Sequence, residues 1–462
     1  MYKESELRNI FNGKRIFIAG FGREGRSSYL LIRKLFPYPS NEITLAIADK
    51  NTAIQTDAML TADRDIALFT GNNYLSHAGE YDVILKSPGI PTFDFNGIAH
   101  PENISSQTDI FLQLYANQTI GITGTKGKST TTNLIYSMMK MVNPNTIMAG
   151  NIGLPLFDSI ENIDSNTILV LELSSHQLEN IHLSPHIGIV LNLFQEHLDH
   201  YNSYTDYQMA KLNIGLHQSD NDVFIYCKDN DELDTLVQKT EIKSIVLPYS
   251  MNHKLPFGCY LDGNDFKLSP TNTVIYNITS KRYLQGSHNL SNCMAVFLVG
   301  HCYGIADDVI ATAIANFKGL EHRLEYVTTK NDITFYNDSI STIPEATIAA
   351  VEALKDVDTL ILGGFDRGID YTALATFIAQ STIANIAFVG NAGQRIYNLL
   401  GSTGQKKNCL LSNNYTMVVN WCFQHTAKGK ICLLSPAASS YDMFKNFEER
   451  GQVFKQLITN NA

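Results

Sequence analysis

The sequence predicts an α/β protein of three domains built on parallel sheets. Its 462 residues correspond to about three domains of ordinary size. Short β-branched runs that end in Gly, Ser or Asn alternate with helix-like segments, which is typical of strands buried between two layers of helices. Hydrophobic residues make up 44% of the chain and charged residues 17%, a composition that supports packed cores and excludes global disorder.

The strand-like runs fall into three series, and each series is assigned to one domain. We predict a Rossmann-like domain over residues 1–117, a P-loop ATPase-type central domain over 118–322 and a Rossmann-like domain over 323–462. The runs that define them are 14–20, 43–49, 119–123, 168–173, 187–193, 333–337, 359–363, 386–390 and 431–435. Because ligands of such sheets lie beyond the carboxyl ends of the strands, the residues after each run are the candidate site residues.

Charge, cysteine usage and hydropathy indicate where the protein resides and disfavour nucleic acid and membrane as partners. Lys and Arg total 35 against 45 Asp and Glu, a net charge of −10 that disfavours a nucleic-acid partner. The seven cysteines are scattered and form no C-x-x-C pair, which predicts reduced thiols. The amino terminus is polar, and no apolar run reaches the roughly 20 residues that span a bilayer. We therefore expect a cytoplasmic protein without membrane insertion.

A glycine- and lysine-rich loop follows the strand-like run 119–123 and precedes a helix-like segment, 131–140. The loop consists of Gly124, Thr125, Lys126, Gly127, Lys128, Ser129 and Thr130. Its glycines let backbone N–H groups surround phosphates, while Lys128 adds a cation and Ser129 can bind Mg²⁺. The general pattern G-x-x-x-x-G-K-[ST] is not met, because Ile122 stands at the first glycine position. The loop predicts binding of a nucleoside triphosphate, and the alternative is a turn without a ligand.

A second glycine-rich turn, with Gly20, Gly22 and Gly25, follows the first strand-like run, and Asp49 ends the next one. This G-x-G-x-x-G pattern is compatible with NAD, with another nucleotide-like ligand, or with a tight turn that needs glycine only for its backbone. Another segment, Lys86 to Ile90, which contains Ser87, Pro88 and Gly89, follows the strand-like residues 83–85 and could line the same cleft.

Three further side chains are candidates for metal chemistry. Glu172 ends an apolar run beside the predicted phosphate loop and could hold Mg²⁺, the alternative being a solvated carboxylate. His197 lies in the polar segment 192–200 and could serve a second metal, although a hydrogen-bonded bystander is the ordinary role of a histidine. Lys211 lies in the helix-like segment 204–216, where the default expectation is a surface lysine.

Taken in order, these motifs resemble the Mur ligase family, the ATP-dependent amide-forming enzymes of peptidoglycan precursor synthesis. The resemblance covers essentially the whole chain and includes the unusual phosphate loop. The other matching segments are Asn151-Ile152-Gly153, Glu172-Leu173-Ser174-Ser175, Glu196-His197-Leu198-Asp199, Gly286 to Asn292, His322-Arg323 and Ser435 to Gly451. Within the family, the chain is most similar to the branch that adds glutamate to UDP-N-acetylmuramoyl-L-alanine, which implies an acyl-phosphate mechanism and a monomer.

The resemblance assigns a ligand to each group of candidates. ATP would be bound by the phosphate loop together with Asn289, Asn292, Arg323 and Asp338. The UDP-linked substrate would be bound by Gly20, Gly22, Gly25, Asp49, Ser87, Pro88, Gly89 and Asn151. Glutamate would be bound by Thr342, Arg367, Ser440 and Phe447. Mg²⁺ would be held by Ser129, Glu172, His197 and Lys211, with Lys211 carbamylated, and catalysis would depend on Lys128, Glu172, His197 and Lys211.

Two departures bear on which enantiomer of glutamate is used. Ile340 stands where enzymes that add D-glutamate tend to have lysine. The turn 22–26, the segment 340–342 and the loop 364–368 also resemble a branch that uses L-glutamate. Because D-glutamate is the more common substrate in the family, we expect D-glutamate here, with L-glutamate as the alternative. A NAD-dependent oxidoreductase, the alternative of another class, would rest on the turn Gly20–Gly25 alone and would leave Lys128 without a role.

Overall fold

The computed structural model describes residues 3–196, 200–404 and 407–460. The chain divides into two compact units, residues 1–280 with 290–314, and residues 281–289 with 315–462. The described residues form three sheets, of five, nine and six strands. The first two sheets belong to the first unit and the third belongs to the second unit.

The first sheet is entirely parallel, with strand order β3-β2-β1-β4-β5. Its strands are β1 (Arg15–Ala19), β2 (Thr44–Asp49), β3 (Ile66–Thr70), β4 (Val83–Lys86) and β5 (Ile104–Ser105), and its helices are α1 (Glu4–Phe11), α2 (Arg23–Leu35), α3 (Ala58–Ala62) and α4 (Gln107–Tyr115). Four of the five β1 residues are buried, as expected of a strand covered on both faces. The turns after β1 and β4 therefore open at the same edge of the sheet.

The second sheet has the order β14-β13-β12-β11-β10-β9-β6-β8-β7, parallel from β7 to β12 and antiparallel beyond. Its strands are β6 (Thr119–Thr123), β7 (Thr146–Gly150), β8 (Ile168–Glu172), β9 (Ile187–Val190), β10 (Val223–Cys227), β11 (Ile245–Ser250), β12 (Gly258–Asp262), β13 (Asp265–Ser269) and β14 (Thr273–Asn277). The helices of this region are α5 (Lys128–Val142), α6 (Leu156–Ser159), α7 (Ser175–Leu178), α8 (Tyr204–Leu216), α9 (Asp231–Lys239), α10 (Ser287–Cys302) and α11 (Asp307–Asn316).

One hydrophobic cluster runs through both sheets of the first unit. It joins Phe111 of α4 to Phe157 of α6 and to Leu171 of β8, all fully or nearly fully buried. Each such side chain contributes about 1.5–3 kcal/mol by leaving water. The cluster therefore holds the turn after β1 in a fixed place beside the carboxyl end of β8.

The third sheet has the order β15-β16-β20-β17-β18-β19, with only the β15–β16 pair antiparallel among its described pairings. Its strands are β15 (Glu325–Lys330), β16 (Ile333–Asn337), β17 (Val357–Gly363), β18 (Asn385–Val389), β19 (Asn408–Leu411) and β20 (Ile431–Leu434), and its helices are α12 (Pro344–Leu354), α13 (Thr372–Gln380), α14 (Gly390–Gly404), α15 (Tyr415–His425) and α16 (Phe447–Asn460). The central strands β16, β20 and β17 end at one edge, where three loops meet.

The predicted α/β class with parallel sheets is confirmed, with small differences at element ends. Helix α5 begins at Lys128 rather than at residue 131, because Gly127 adopts a left-handed φ of 86° and ends the loop there. Strand β9 ends at Val190 rather than at 193, because Asn192 turns away to bond the backbone of Lys126. Across the described ranges, no helix is long and apolar enough to cross a membrane.

Candidate active site

The phosphate loop connects β6 to α5, as the sequence predicts. Gly124 and Gly127 have φ values of 146° and 86°, which side-chain-bearing residues rarely adopt. A Cβ atom at Gly127 would lie 2.9 Å from Oδ1 of Asn292, so this predicted ATP ligand packs directly against the loop. The N–H groups of residues 128–130, at the start of α5, have no helical carbonyl four residues earlier, which suits binding of an anion.

Lys128 folds back over this loop. Its ammonium group donates hydrogen bonds to the carbonyl oxygens of Gly124 and Thr125, both at 2.9 Å. The loop is also held from outside, since the N–H of Thr125 donates to the carbonyl of Asn192 at 3.0 Å. The cation is therefore placed at the mouth of a preformed loop, where it can neutralise phosphate charge.

Glu172 occupies the carboxyl end of β8, and the solvated-carboxylate alternative is wrong for it. The residue is 1% exposed. Its Oε1 accepts a hydrogen bond from Nδ2 of Asn151 at 2.7 Å, whereas the buried Oε2 has no hydrogen-bond partner among the described residues. A buried anionic oxygen without a partner is costly. Such an oxygen fits a divalent cation, because carboxylate oxygens are preferred ligands of Mg²⁺.

Lys211 is buried, so the expectation of a surface lysine is wrong. Only 2% of the residue is exposed, because α8 packs against the sheet and the phosphate loop together. Its ammonium donates to the carbonyl of Gly124 at 3.0 Å. Burial, assisted by the charge of Lys128, lowers the pKa of Lys211 to about 7, although Glu196 and Glu172 oppose the shift. The lysine thus reaches the same loop carbonyl as Lys128.

Four residues are expected to hold Mg²⁺, and the structure describes three of them: Ser129, Glu172 and Lys211. His197 lies outside the described residues, together with Leu198 and Asp199. In the described part of the chain, no three His, Cys, Asp or Glu side chains form a group that could hold a metal ion. Among the described residues, the donor whose chemistry fits Mg²⁺ is the unpartnered carboxylate oxygen of Glu172.

The turn after β1 is tight for steric reasons. A Cβ at Gly25 would lie 1.9 Å from the carbonyl oxygen of Gly20, and one at Gly20 would lie 2.7 Å from Oγ of Ser87. Asp49 accepts a hydrogen bond from the N–H of Phe21 at 2.6 Å. Space around Gly22 is open, so a ligand can approach the backbone there. The segment that begins with Ser87 adjoins this turn, as predicted, because its hydroxyl donates to the carbonyl of Gly20.

The turn after β1 also meets the second sheet. The Arg23 guanidinium donates to the carbonyl of Gly153, two residues beyond Asn151. Nε2 of Gln177 donates to Oε1 of Glu24 at 2.7 Å. The structure therefore brings the predicted substrate turn, Asn151 and Glu172 into one region of the first unit.

An ion pair between Lys86 and Glu179 reinforces this junction. The ammonium of Lys86 lies 2.9 Å from Oε2 of Glu179 and donates to the carbonyl of Ile90 at 2.8 Å. Burial lowers the pKa of Lys86. For Glu179, bonds from His200 and Lys86 outweigh the opposing effect of burial and lower its pKa to about 2. Lys86 therefore connects both ends of the segment 87–89 to Glu179, which directly follows α7.

The second unit contains the remaining ATP candidates apart from Asn292. Asp338 is buried and accepts hydrogen bonds from the N–H of Leu324 at 3.1 Å and from Oγ of Ser435 at 2.7 Å. Burial raises its pKa to about 6. Arg323 is exposed between two residues with positive φ, His322 and Leu324. Asn289 lies on the first turn of α10 and donates to the carbonyl of Gln285 at 2.7 Å.

The four glutamate candidates lie on segments that are bonded to one another at the edge where β16, β17 and β20 end. The Arg367 guanidinium donates to the carbonyl of Thr342 at 3.1 Å. The loop of Arg367 is joined to the loop of Ser440 by a hydrogen bond from the N–H of Phe365 to the carbonyl of Ser439. Phe447, at the start of α16, accepts through its carbonyl from Oγ of Ser339 at 2.8 Å. Separate segments therefore build one polar edge.

Comparison with known proteins identifies the family. Residues 122–300 match the model of the Mur ligase middle domain. The UDP-N-acetylmuramoylalanine–D-glutamate ligase of Clostridium botulinum strain 657 is 30% identical over 99% of both chains. The enzyme of the same name from Clostridioides difficile is 31% identical over 97% of this chain and 99% of its own. The chain belongs to the Mur ligase family.

Solved structures of other Mur ligases share the fold. The UDP-N-acetylmuramate–alanine ligase of Thermotoga maritima superposes with a TM-score of 0.56 at 16% identity, covering 97% of this chain and all of its own. The MurF ligase of Thermotoga maritima in complex with ADP gives 0.54 at 15% identity, covering 100% and 98%. At such identities the likeness concerns the fold alone. The predicted family and fold class are confirmed.

Sequence reasoning did not predict the contacts of several polar residues of this Mur ligase that hold the site together. Lys86 and Glu179 join the first two sheets, and Ser339 and Arg450 join the loops of the third. For Lys86 the sequence predicted a place in the segment 86–90 that could line the cleft, but not the ion pair with Glu179. Arg450 lies in the matching segment 435–451, but its burial was not predicted, since an arginine near the amino end of a helix is ordinarily exposed.

Proposed function

We propose that this Mur ligase joins D-glutamate to UDP-N-acetylmuramoyl-L-alanine at the expense of ATP, as a step of peptidoglycan precursor synthesis in the cytoplasm. Full-length similarity to relatives named for this reaction supports the choice of substrates. One observation carries the choice of chemistry. Glu172, whose buried Oε2 has no hydrogen-bond partner in the described ranges, stands beside the phosphate loop, and the carbonyl of Gly124 in that loop accepts a hydrogen bond from the buried Lys211.

The reaction begins with activation of a carboxylate. An oxygen of the L-alanyl carboxylate attacks the γ-phosphorus of ATP, the bond to the β–γ bridging oxygen breaks, and ADP leaves. Both reactants are anionic, so their approach requires positive charge at the loop. Lys128 supplies this charge from its position over Gly124 and Thr125. Mg²⁺, held by Ser129, Glu172, His197 and modified Lys211, would add further neutralisation of phosphate charge.

The second step forms the amide. The neutral amine of glutamate attacks the acyl carbon of the acyl phosphate, and the tetrahedral intermediate expels phosphate and loses the amine proton. Thr342, Arg367, Ser440 and Phe447 would hold the glutamate. Arg367 suits a carboxylate because its planar guanidinium can bond both oxygens. Excluding water at this stage protects the acyl phosphate from hydrolysis.

Lys211 is suited to carbamylation. The modification joins the amine nitrogen to the carbon of CO₂ and releases one proton, so it needs the neutral amine. A pKa of about 7 leaves a large fraction of this amine neutral at physiological pH, whereas an ordinary lysine near 10.5 is almost fully charged. The product is an anion that could face Mg²⁺ with Glu172.

One experiment tests the proposed reaction. The purified protein is incubated with ATP, Mg²⁺, UDP-N-acetylmuramoyl-L-alanine and either D- or L-glutamate, and product mass and ADP release are measured. We expect product with D-glutamate. Product with L-glutamate alone would assign the other enantiomer, for which Ile340 and the resemblance of the loop 364–368 are the motivating features. No product with either enantiomer would refute the proposal.

A further inference from the structure

Arg450 is the largest fully buried side chain among the described residues. It lies on the first turn of α16 and is 1% exposed. Burying a guanidinium costs folding free energy unless its N–H groups are hydrogen-bonded and its charge is compensated. No ion pair within 4.0 Å joins Arg450 to a carboxylate in the described part of the chain. Its hydrogen bonds within the described ranges go to neutral acceptors, and the carboxylate of Asp442 acts on its charge only from a longer distance.

These acceptors belong to two different loops. Nε donates to Oγ of Ser339 at 2.9 Å and Nη2 donates to the carbonyl of Ser339 at 2.7 Å. Nη1 donates to the carbonyl of Ala438 at 3.0 Å. Ser339 follows β16, and Ala438 lies in the loop after β20. One planar group thus sets the distance between the two loops.

Both loops lead directly to the residues assigned to glutamate. Thr342 lies three positions after Ser339, and Ser440 lies two positions after Ala438. Oγ of Ser339 also donates to the carbonyl of Phe447, which closes a ring of contacts from Arg450 back to its own helix. A Cβ atom at Gly364, in the loop of Arg367, would lie 3.1 Å from Nη1 of Arg450. All the segments that carry glutamate candidates therefore meet this guanidinium.

We propose that Arg450 is a positioning residue for the incoming amino acid: it fixes the spacing of the loops of Thr342 and Ser440 and thereby sets the affinity for glutamate without touching it. The inference rests on the proposed function and names a determinant of it. A lysine cannot take this role, because a single ammonium lacks the planar fork that reaches both loops.

The ATP candidate Asp338 should be less affected by Arg450. Although it adjoins Ser339 in the sequence, its carboxylate is fixed separately by Leu324 and Ser435. Loss of the guanidinium should therefore change glutamate binding more than ATP binding. This difference separates positioning from general damage to the domain.

The test uses steady-state kinetics of the full chain carrying Arg450→Lys. We expect the KM for glutamate to rise by about tenfold or more, because small misplacements of binding groups are costly, while the KM values for ATP and the UDP-linked substrate change by less than about twofold. The matched control is Lys330→Met. Lys330 donates to the carbonyls of Ile458 and Thr459, so this variant loosens the opposite end of the same helix.

The outcomes are distinct. If Arg450→Lys and Lys330→Met lose similar thermal stability and both keep the parental KM for glutamate, Arg450 is merely structural and the inference is overturned. Should Arg450→Lys fail to fold, Ser339→Ala replaces it, since this variant removes the bonds to Nε and to Phe447 and leaves the two carbonyl contacts. A several-fold rise in the glutamate KM then supports the inference, and an unchanged value overturns it. A parent protein that ligates no glutamate refutes the proposed function and the inference together.

Discussion

Replacing Lys211 by Met should stabilise the protein below neutral pH and abolish its ligase activity. The side chain is buried, and its charged form is disfavoured by burial and by Lys128, which lowers its pKa to about 7. An unfolded chain returns this lysine to an ordinary pKa near 10.5. Folding below pH 7 therefore requires burial of a charge that the unfolded state keeps in water. Methionine fills a similar volume without that charge.

The size of the effect follows from the two pKa values. Their difference corresponds to about 5 kcal/mol of folding free energy below pH 7. Loss of the hydrogen bond to Gly124 offsets about 1 kcal/mol, and that carbonyl remains satisfied by Lys128. A net gain of about 4 kcal/mol is expected at pH 6. Because the folded pKa lies below the unfolded one, the gain shrinks as pH rises from 7 to 10.5.

The assay is urea denaturation of parent and variant at several pH values between 6 and 10, without nucleotide and in CO₂-free buffer, so that Lys211 stays unmodified. Lys140→Met, a change at an exposed lysine on the last turn of α5, is the control and should show no comparable pH trend. A stability difference between parent and Lys211→Met that stays constant with pH would refute the reasoning. So would a variant that is less stable at pH 6.

Three further outcomes are expected. Lys128→Ala should reduce ATP-dependent ligation by at least about 1,000-fold, measured by ADP release, because the loop loses the cation that lies over Gly124 and Thr125. Glu172→Gln should raise the Mg²⁺ concentration needed for half-maximal activity while the protein stays folded, since the amide can still accept from Asn151; an unchanged Mg²⁺ titration would contradict this. Lys86→Met should cost about 3–5 kcal/mol in urea denaturation, because it leaves Glu179 partly buried without its cation, and the double variant Lys86→Met/Glu179→Leu should recover much of that loss.

Much of the fold could be predicted from local pattern. Strands buried on both faces appear as continuous apolar runs, so the runs that became β1, β6, β8 and β17 were recognisable one by one. Their ends were less certain, because they depend on partners far away in the sequence. Asn192 illustrates this, since its bonds to Lys126 end β9 early.

For the site, too, local sequence predicted some features and contacts between distant residues decided the others. The sequence by itself determined the chemistry available: a glycine loop with Lys128, a carboxylate at Glu172 and the family to which their order belongs. Only the tertiary structure decided the electrostatic state of the buried groups. Burial depends on all the elements packed around a side chain, so Lys211 looked like a surface lysine until α8 was placed against the loop. For the same reason, Arg450 became a candidate positioning residue only when two loops, about 100 residues apart in the chain, closed on its guanidinium.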